Sequence, residues 1–162
     1  MSLPDFITPE AATFFGSMLP GVELRLGIPL GISMGLSPIT AFFIGIVGNF
    51  IPNIVILKVL DPITKFLRRH SKFLDRFFGT LFEKTRNKHQ DKFAKYGMVF
   101  IIVFVAIPLP GSGSWTGSLI AYLFGVKYWR ALLLISLGII IAGFLVTTGF
   151  GSIHALITYL ID

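Results

Sequence analysis

The stretch that decides the fold is Ile107-Pro108-Leu109-Pro110-Gly111-Ser112-Gly113-Ser114-Trp115-Thr116-Gly117. It lies within Tyr96 to Val126, 31 residues without an Asp, Glu, Lys or Arg. That exceeds the roughly 20 apolar residues a helix needs to cross a bilayer core. Yet Pro108, Pro110, Gly111, Gly113 and Gly117 interrupt it. Proline removes a backbone donor and clashes with the preceding turn. A broken backbone facing hydrocarbon leaves polar groups unsatisfied, so the break must be shielded by protein or line a wet cavity. The stretch therefore predicts a re-entrant hairpin of two half-helices over roughly residues 96–125, not a straight span.

Working outward, two more charge-free runs appear: Leu26 to Leu57, 32 residues, and Ala131 to Ile161, 31 residues. The first carries Gly27, Pro29, Gly31, Gly35 and Pro38 and predicts a second hairpin at about 8–36. Two pieces are nearly free of breakers: Ile39 to Val59, interrupted by Pro52, and Tyr128 to Phe150. Those read as full spans. Of the 162 residues, 54% are hydrophobic and 14% charged, and the mean hydropathy is +0.81. A soluble domain carries about 25% charged residues, so an ordinary soluble enzyme and a disordered chain are both excluded. The absence of cysteine excludes disulfides, thiolate zinc sites and cysteine nucleophiles. Before the first run stand Asp5 and Glu10 but no Lys or Arg, so the positive region of a signal peptide is missing. The first apolar stretch is expected to be retained.

The segment Lys58 to Lys95 holds 11 of the 14 basic residues. Short basic loops stay cytoplasmic, which predicts residues 58–95 inside a prokaryotic inner membrane and both termini outside. Ile63, Phe66, Leu67, His70, Leu74, Phe77, Phe78 and Leu81 repeat at helical spacing. One or two amphipathic helices lying at the inner interface are expected, their basic residues near lipid headgroups. The apolar face argues against nucleic acid as the partner of these charges.

Sliding the chain on itself by ninety residues places Leu19-Pro20-Gly21 on Leu109-Pro110-Gly111. Phe14 falls on Phe104, Gly27 on Gly117, Gly35 on Gly125, Ala41 on Ala131 and Gly48 on Gly138. Each half reads as apolar arm, break, second arm, glycine and span. The first unit enters from outside and the second starts inside, so the halves are expected to be inverted, as in many secondary transporters. The fold class is thus an all-α membrane protein of two inverted repeats, each a re-entrant hairpin plus a transmembrane helix. A single membrane domain covers 1–162: repeat 1 at about 8–60, a basic amphipathic linker 61–95, repeat 2 at about 96–150 and a tail 151–162.

The second arm of each hairpin starts near mid-membrane with unpaired N–H groups and the positive end of its dipole. Two such ends make an anion-friendly site between repeats. The polar residues there are Glu23 and Arg25 in one hairpin and Ser112, Ser114, Trp115 and Thr116 in the other, with Pro110, Gly111 and Gly113 shaping the loop. A carboxylate at membrane depth is a functional candidate, and its position in a first turn and its burial pull its protonation in opposite directions. The plainer alternatives are a helix-capping Glu23 or a structural pair with Arg25. On a regular helix residues two apart face different sides, so a direct pair would need irregular backbone or another subunit. Arg25 could equally hold an anionic substrate or snorkel. Asn49 and Asn53 stand one turn apart in the first span and either glue helices together or line a path. Trp129 beside Lys127, Tyr128 and Arg130 reads as an interfacial anchor, and Gly138, Gly143, Gly149 and Gly151 as close-packing positions. His70, His89 and His154 lack ligand spacing, so neither metal nor cofactor is expected. Ser112 or Ser114 with His154 lacks the G-x-S-x-G elbow of a serine hydrolase, and no enzyme is expected.

Glu23-Leu24-Arg25-Leu26-Gly27-Ile28-Pro29-Leu30-Gly31 resembles the E-L-R-x-x-I-P signature of the small multidrug export family. Phe104-Val105-Ala106-Ile107-Pro108-Leu109-Pro110-Gly111-Ser112-Gly113-Ser114-Trp115-Thr116-Gly117 resembles its P-L-P-G-x-G-x-W-T-G block. Gly48-Asn49 followed by Pro52 fits its first span, and the resemblance covers roughly residues 20–145. It implies a small membrane transporter. The plan is also similar to the wider DedA and VTT superfamily, which implies lipid scrambling or proton-coupled transport. Glu23 resembles the acid that follows Pro-Gly in that superfamily, whereas Ile107 and Gly113 stand where DedA proteins carry arginines. The expectation is a transporter of a small molecule or ion, coupled to protons through Glu23, with Arg25 as its electrostatic partner or an anion contact. Its partners would be membrane lipids, the substrate and a second copy in a homodimer or larger assembly. A lipid scramblase and a non-transporting assembly protein are the alternatives.

Overall fold

The computed structural model describes residues 7–70, 72–107 and 112–161. Among them the chain is all helix, in the order α1 (Pro9–Met18), α2 (Glu23–Ser33), α3 (Pro38–His70), α4 (Lys72–Tyr96), α5 (Val99–Ala106), α6 (Ser114–Leu123) and α7 (Tyr128–Ile161). Two short helices precede each long one. At about 1.5 Å per residue, the 10 residues of α1 and the 11 of α2 reach only about half of a 30 Å core.

Local chemistry sets the boundaries. Thr8 caps α1, its Oγ1 accepting from the Ala11 N–H at 3.2 Å, with Pro9 preorganised at the first helical position. Helix α2 stops at Gly35, whose φ of +100° lets Leu36 N–H donate back to Gly31 O at 3.0 Å. Helix α6 ends the same way ninety residues on, with Gly125 at φ +68° and Val126 N–H donating to Ala121 O at 2.9 Å. Ser37 then opens α3, its Oγ accepting from Thr40 N–H at 3.2 Å. Starts also correspond at that offset: Pro9 with Val99, and Pro38 with Tyr128.

Close packing is made by missing side chains. A Cβ on Gly27 would strike Ser17 Oγ, and one on Gly31 would strike Thr13 Oγ1. These pairs make α1 and α2 an antiparallel hairpin. Gly48 presses α3 on α1, where a Cβ would stand 2.5 Å from Phe14 O. Gly138 does the same for α7 on α5, 2.6 Å from Val105 Cβ. Gly143 lies against Phe42 and Ile46, while Gly151 approaches Pro38. Later residues of α7 thus meet earlier residues of α3, and the two long helices run antiparallel. Gly149 has nothing within 4 Å and makes no such contact.

The core gathers Leu24, Ile28, Ile101, Val105, Ile120, Ile135 and Ile139 between the helices. The outside is apolar too. Ile39, Phe43, Val47, Ile51 and Val55 form an exposed stripe at every fourth position of α3, and Leu133, Leu137, Ile141 and Phe144 lie exposed along α7. Pro38–Phe66 and Tyr128–Ser152 are long and apolar enough to cross a membrane, and only 33% of each one's most apolar window is buried. A soluble core helix is apolar because protein surrounds it; these helices are apolar on faces that protein does not cover.

Helix α3 differs from the expected span by running through Pro62 into the basic segment, and α7 continues to Ile161 without a non-helical tail. Helix α4 lies against the short helices of the second half. Phe93 stacks on Phe124 at 4.1 Å, Phe82 meets Tyr122 edge-on, and His89 sits between Phe100 and Phe104. Phe66, Phe73, Phe77 and Leu81 stay exposed, as an interfacial helix pair requires. Leu67, His70, Leu74 and Phe78 fall outside the residues whose side chains are described.

Two expectations follow from this packing. Gly48→Ala should lower thermal stability in detergent by about 1–3 kcal/mol, because backbone faces the added methyl. Gly149→Ala, in open space, should hold or raise it. Burial, then Lys88 and Lys92, push the His89 pKa down. Its neutral form therefore stabilises the fold fully above the ordinary histidine value of about 6.5. That contribution is lost as pH falls through the lowered folded value. Hydrogen exchange in α4 should accelerate on acidification in the wild type and much less in His89→Phe.

Candidate functional site

The break between α5 and α6 leaves two kinds of orphan: carbonyls at the end of α5 and N–H groups at the start of α6. One turn of α2 answers both. Arg25 donates through Nη1 to Ser112 O, and through Nη2 to Val105 O at 3.2 Å and Ile107 O at 2.9 Å. A planar guanidinium suits three convergent carbonyls, and its charge complements the negative end of α5. Ser112 Oγ also donates to Ile107 O, at 2.8 Å.

Glu23 faces the other end. Its carboxylate accepts from Ser114 N–H, Ser114 Oγ and Trp115 N–H, each at 3.4 Å. These bonds are long, so the carboxylate is held by the helix dipole as much as by any single donor. Only 5% of Glu23 is exposed. A Cβ on Gly113 would stand 2.5 Å from Glu23 Oε1, so glycine there is what admits the carboxylate. Glu23 itself has φ +50°, a left-handed conformation that costs a non-glycine residue roughly 1 kcal/mol or more. That irregularity turns the side chains of Glu23 and Arg25, two positions apart, toward one break.

Behind the carboxylate, α6 is fastened to α3. Ser114 Oγ donates to Asn49 Oδ1 at 2.9 Å, and Ser118 Oγ lies 2.8 Å from Asn53 Oδ1 and 2.9 Å from Ser114 O. Asn53 Nδ2 donates to Asn49 O at 2.6 Å. Asn49, Asn53, Ser114 and Ser118 are all buried, so both asparagines act between helices. Residue numbers rise together along the two helices, which therefore run parallel.

The structure brings Glu23, Arg25, Asn49, Asn53, Ser112, Gly113, Ser114 and the Trp115 backbone into one constellation. Thr116 is half-buried beside them, and the Trp115 Nε1 is buried without an acceptor among the described residues. Pro110 and Gly111 lie outside the described residues. The anion-friendly start of α6 holds the chain's own carboxylate. Ser118 was missed, although its four-residue spacing from Ser114 copies that of Asn49 and Asn53. A cavity of about 440 Å³ runs along α5, lined by Lys92, Tyr96, Val99, Phe100, Val103, Phe104, Ile107 and Ser112. It is almost wholly apolar and ends at the carbonyl-bearing residues that Arg25 binds.

Helices with uncovered apolar faces, packed round a polar break, define a small helical membrane protein. Residues 23–145 match the family described as "Putative small multi-drug export protein", and the chain belongs to that family. The match begins at Glu23 and encloses every residue of the constellation. Neither the curated proteins nor the solved structures include a match to this chain.

Arg25→Met should lower stability by about 3 kcal/mol, since charged hydrogen bonds to three carbonyls are lost together. Arg25→Lys should recover only part of it, because an ammonium lacks the planar fork. Thermal melts of both variants in detergent measure the difference.

Proposed function

We propose that the protein moves a small, largely apolar molecule across the membrane and couples that movement to protonation of Glu23. The observation that carries this reading is the Glu23 carboxylate, buried against the start of α6 and held by long hydrogen bonds only. Protonation there would remove the charge that holds α6 to α2 and loosen the junction of the two halves. The apolar cavity along α5 suits the substrate: its volume is that of a small-molecule site, and it reaches the Ile107–Ser112 break.

The proposed architecture is a pair of inverted repeats, each a re-entrant hairpin followed by a transmembrane helix. Three features support it. Helix starts and helix-ending glycines correspond at an offset of ninety. The corresponding long helices run antiparallel. The short helices are too short to cross a bilayer. The basic stretch of α3 and α4 would lie on the cytoplasmic side, and the exposed stripes of α3 and α7 would face lipid or a second copy in a homodimer.

Purified protein in liposomes tests the function with ethidium as transported probe and a pH-sensitive dye as proton reporter. A pH gradient should drive ethidium movement in the wild type, and Glu23→Gln should abolish both dye and proton movement while staying folded. Unchanged transport in Glu23→Gln would reject the role. A structural reading is favoured by one observation, that Glu23 and Arg25 both serve as caps on the second half. It expects Glu23→Gln to lower the melting temperature and leave ethidium movement untouched.

A further inference from the structure

Helix α6 carries a hydroxyl at every fourth position: Ser114, Ser118 and Tyr122. Helix α3 meets each with an oxygen. Asn49 Oδ1 lies 2.9 Å from Ser114 Oγ, Asn53 Oδ1 lies 2.8 Å from Ser118 Oγ, and Asp61 Oδ1 accepts from the Tyr122 hydroxyl at 3.3 Å. Because α3 and α6 run parallel, these three rungs stack into one polar seam through an otherwise apolar interior. Its accessibility is graded. Ser114 and Ser118 are fully buried, Tyr122 is half-buried, and the Asp61 side chain is 50% exposed. One end of the seam closes on Glu23 and the other opens beside α4.

The spacing has a chemical meaning. Four helical residues rise about 6 Å, the length of two hydrogen bonds, so one water between successive hydroxyls completes a hydrogen-bonded file. Leu57 interrupts the series on α3, which leaves the α6 hydroxyls to carry it. At the inner end, Ser114 Oγ has one hydrogen and two neighbouring acceptors, Asn49 Oδ1 at 2.9 Å and Glu23 Oε1 at 3.4 Å. With Glu23 ionised, one acceptor goes without. With Glu23 protonated, its hydroxyl donates to Ser114 and Ser114 to Asn49, and all three are satisfied. Helix-to-helix glue explains the two inner rungs but not a carboxylate at each end.

We infer that the α3–α6 seam is a proton route from the α4 side of the molecule to Glu23, with the Tyr122–Asp61 pair as its mouth. This rests on the reading of Glu23 as the coupling carboxylate. A proton leaves bulk water at Asp61, each hydroxyl and water accepts one hydrogen and passes on another, and the last O–H bond forms on Glu23; no other bond changes. Of the groups bonded to Asp61, Lys65 on its own helix holds Oδ2 at 2.8 Å and Tyr122 of α6 holds Oδ1. The charged group nearest Glu23 along its helix is Arg25.

The test follows the Glu23 carboxyl band by time-resolved infrared spectroscopy. Full-length protein is oriented uniformly in liposomes and given a pH jump on one side at a time. The band is assigned by its loss in Glu23→Gln. It should respond quickly to a jump on the α4 side and slowly to one on the other side. Ser118→Ala and Tyr122→Phe should each lose the quick response yet reach the same final protonation, and Ser118→Thr, which keeps the hydroxyl, should retain it. A quick response that survives in both hydroxyl-less variants overturns the route and leaves the Glu23 reading standing. A band that never titrates overturns both.

Discussion

The structure depends on satisfying a backbone that is broken among apolar residues. Where α5 stops and α6 starts, carbonyls and N–H groups lose their helical partners, and hydrocarbon offers none in exchange. One turn of α2 provides both signs of charge. Arg25 takes the carbonyls of Val105, Ile107 and Ser112, while Glu23 lies over the N–H groups of Ser114 and Trp115. The positive group stands at the negative helix end and the negative group at the positive end. Swapping the two residues would set like against like at each. The positive φ of Glu23 is how two side chains so close in sequence reach targets at opposite ends of one gap.

Around that gap the packing is set by absent atoms. Thr13 and Ser17 fit into Gly31 and Gly27, Gly48 admits the Phe14 carbonyl, and Gly138 admits Val105. Close approach between short helices matters here because the hydrophobic effect offers little reason for helices to associate in lipid, so contact surface must. The two halves solve the problem with different partners. Gly27 faces a serine and a threonine, whereas Gly117 faces Val105. The correspondence at ninety residues therefore belongs to element boundaries and helix ends more than to individual contacts.

Much of the fold was legible in the sequence. Charge-free runs, their proline and glycine breaks and the offset of ninety located both helix pairs and both long helices, because these features act through the local backbone. The boundaries of α3 and α7 were less legible: Pro62, Gly149 and Gly151 do not stop helices whose packing continues past them. Glu23, Arg25, Asn49 and Asn53 stood out as polar residues in apolar surroundings. Their partners did not, because the direction of the Glu23 side chain follows from a left-handed φ that no residue type announces. Ser118 was hidden for the opposite reason, a serine in a helix being ordinary until an asparagine lies across from it.

The cross-bracing of the two halves also imposes an order on biosynthesis. Glu23 and Arg25 bind groups 80 to 92 residues further along the chain. At roughly 5–20 residues per second, about 4–18 s of translation separates the first hairpin from the residues that neutralise it. Throughout that interval a carboxylate and a guanidinium wait without their final partners, so the N-terminal half cannot settle to its resting depth until the C-terminal half emerges. A nascent chain truncated before Ser112 should remain bound by its insertion machinery instead of partitioning freely into lipid.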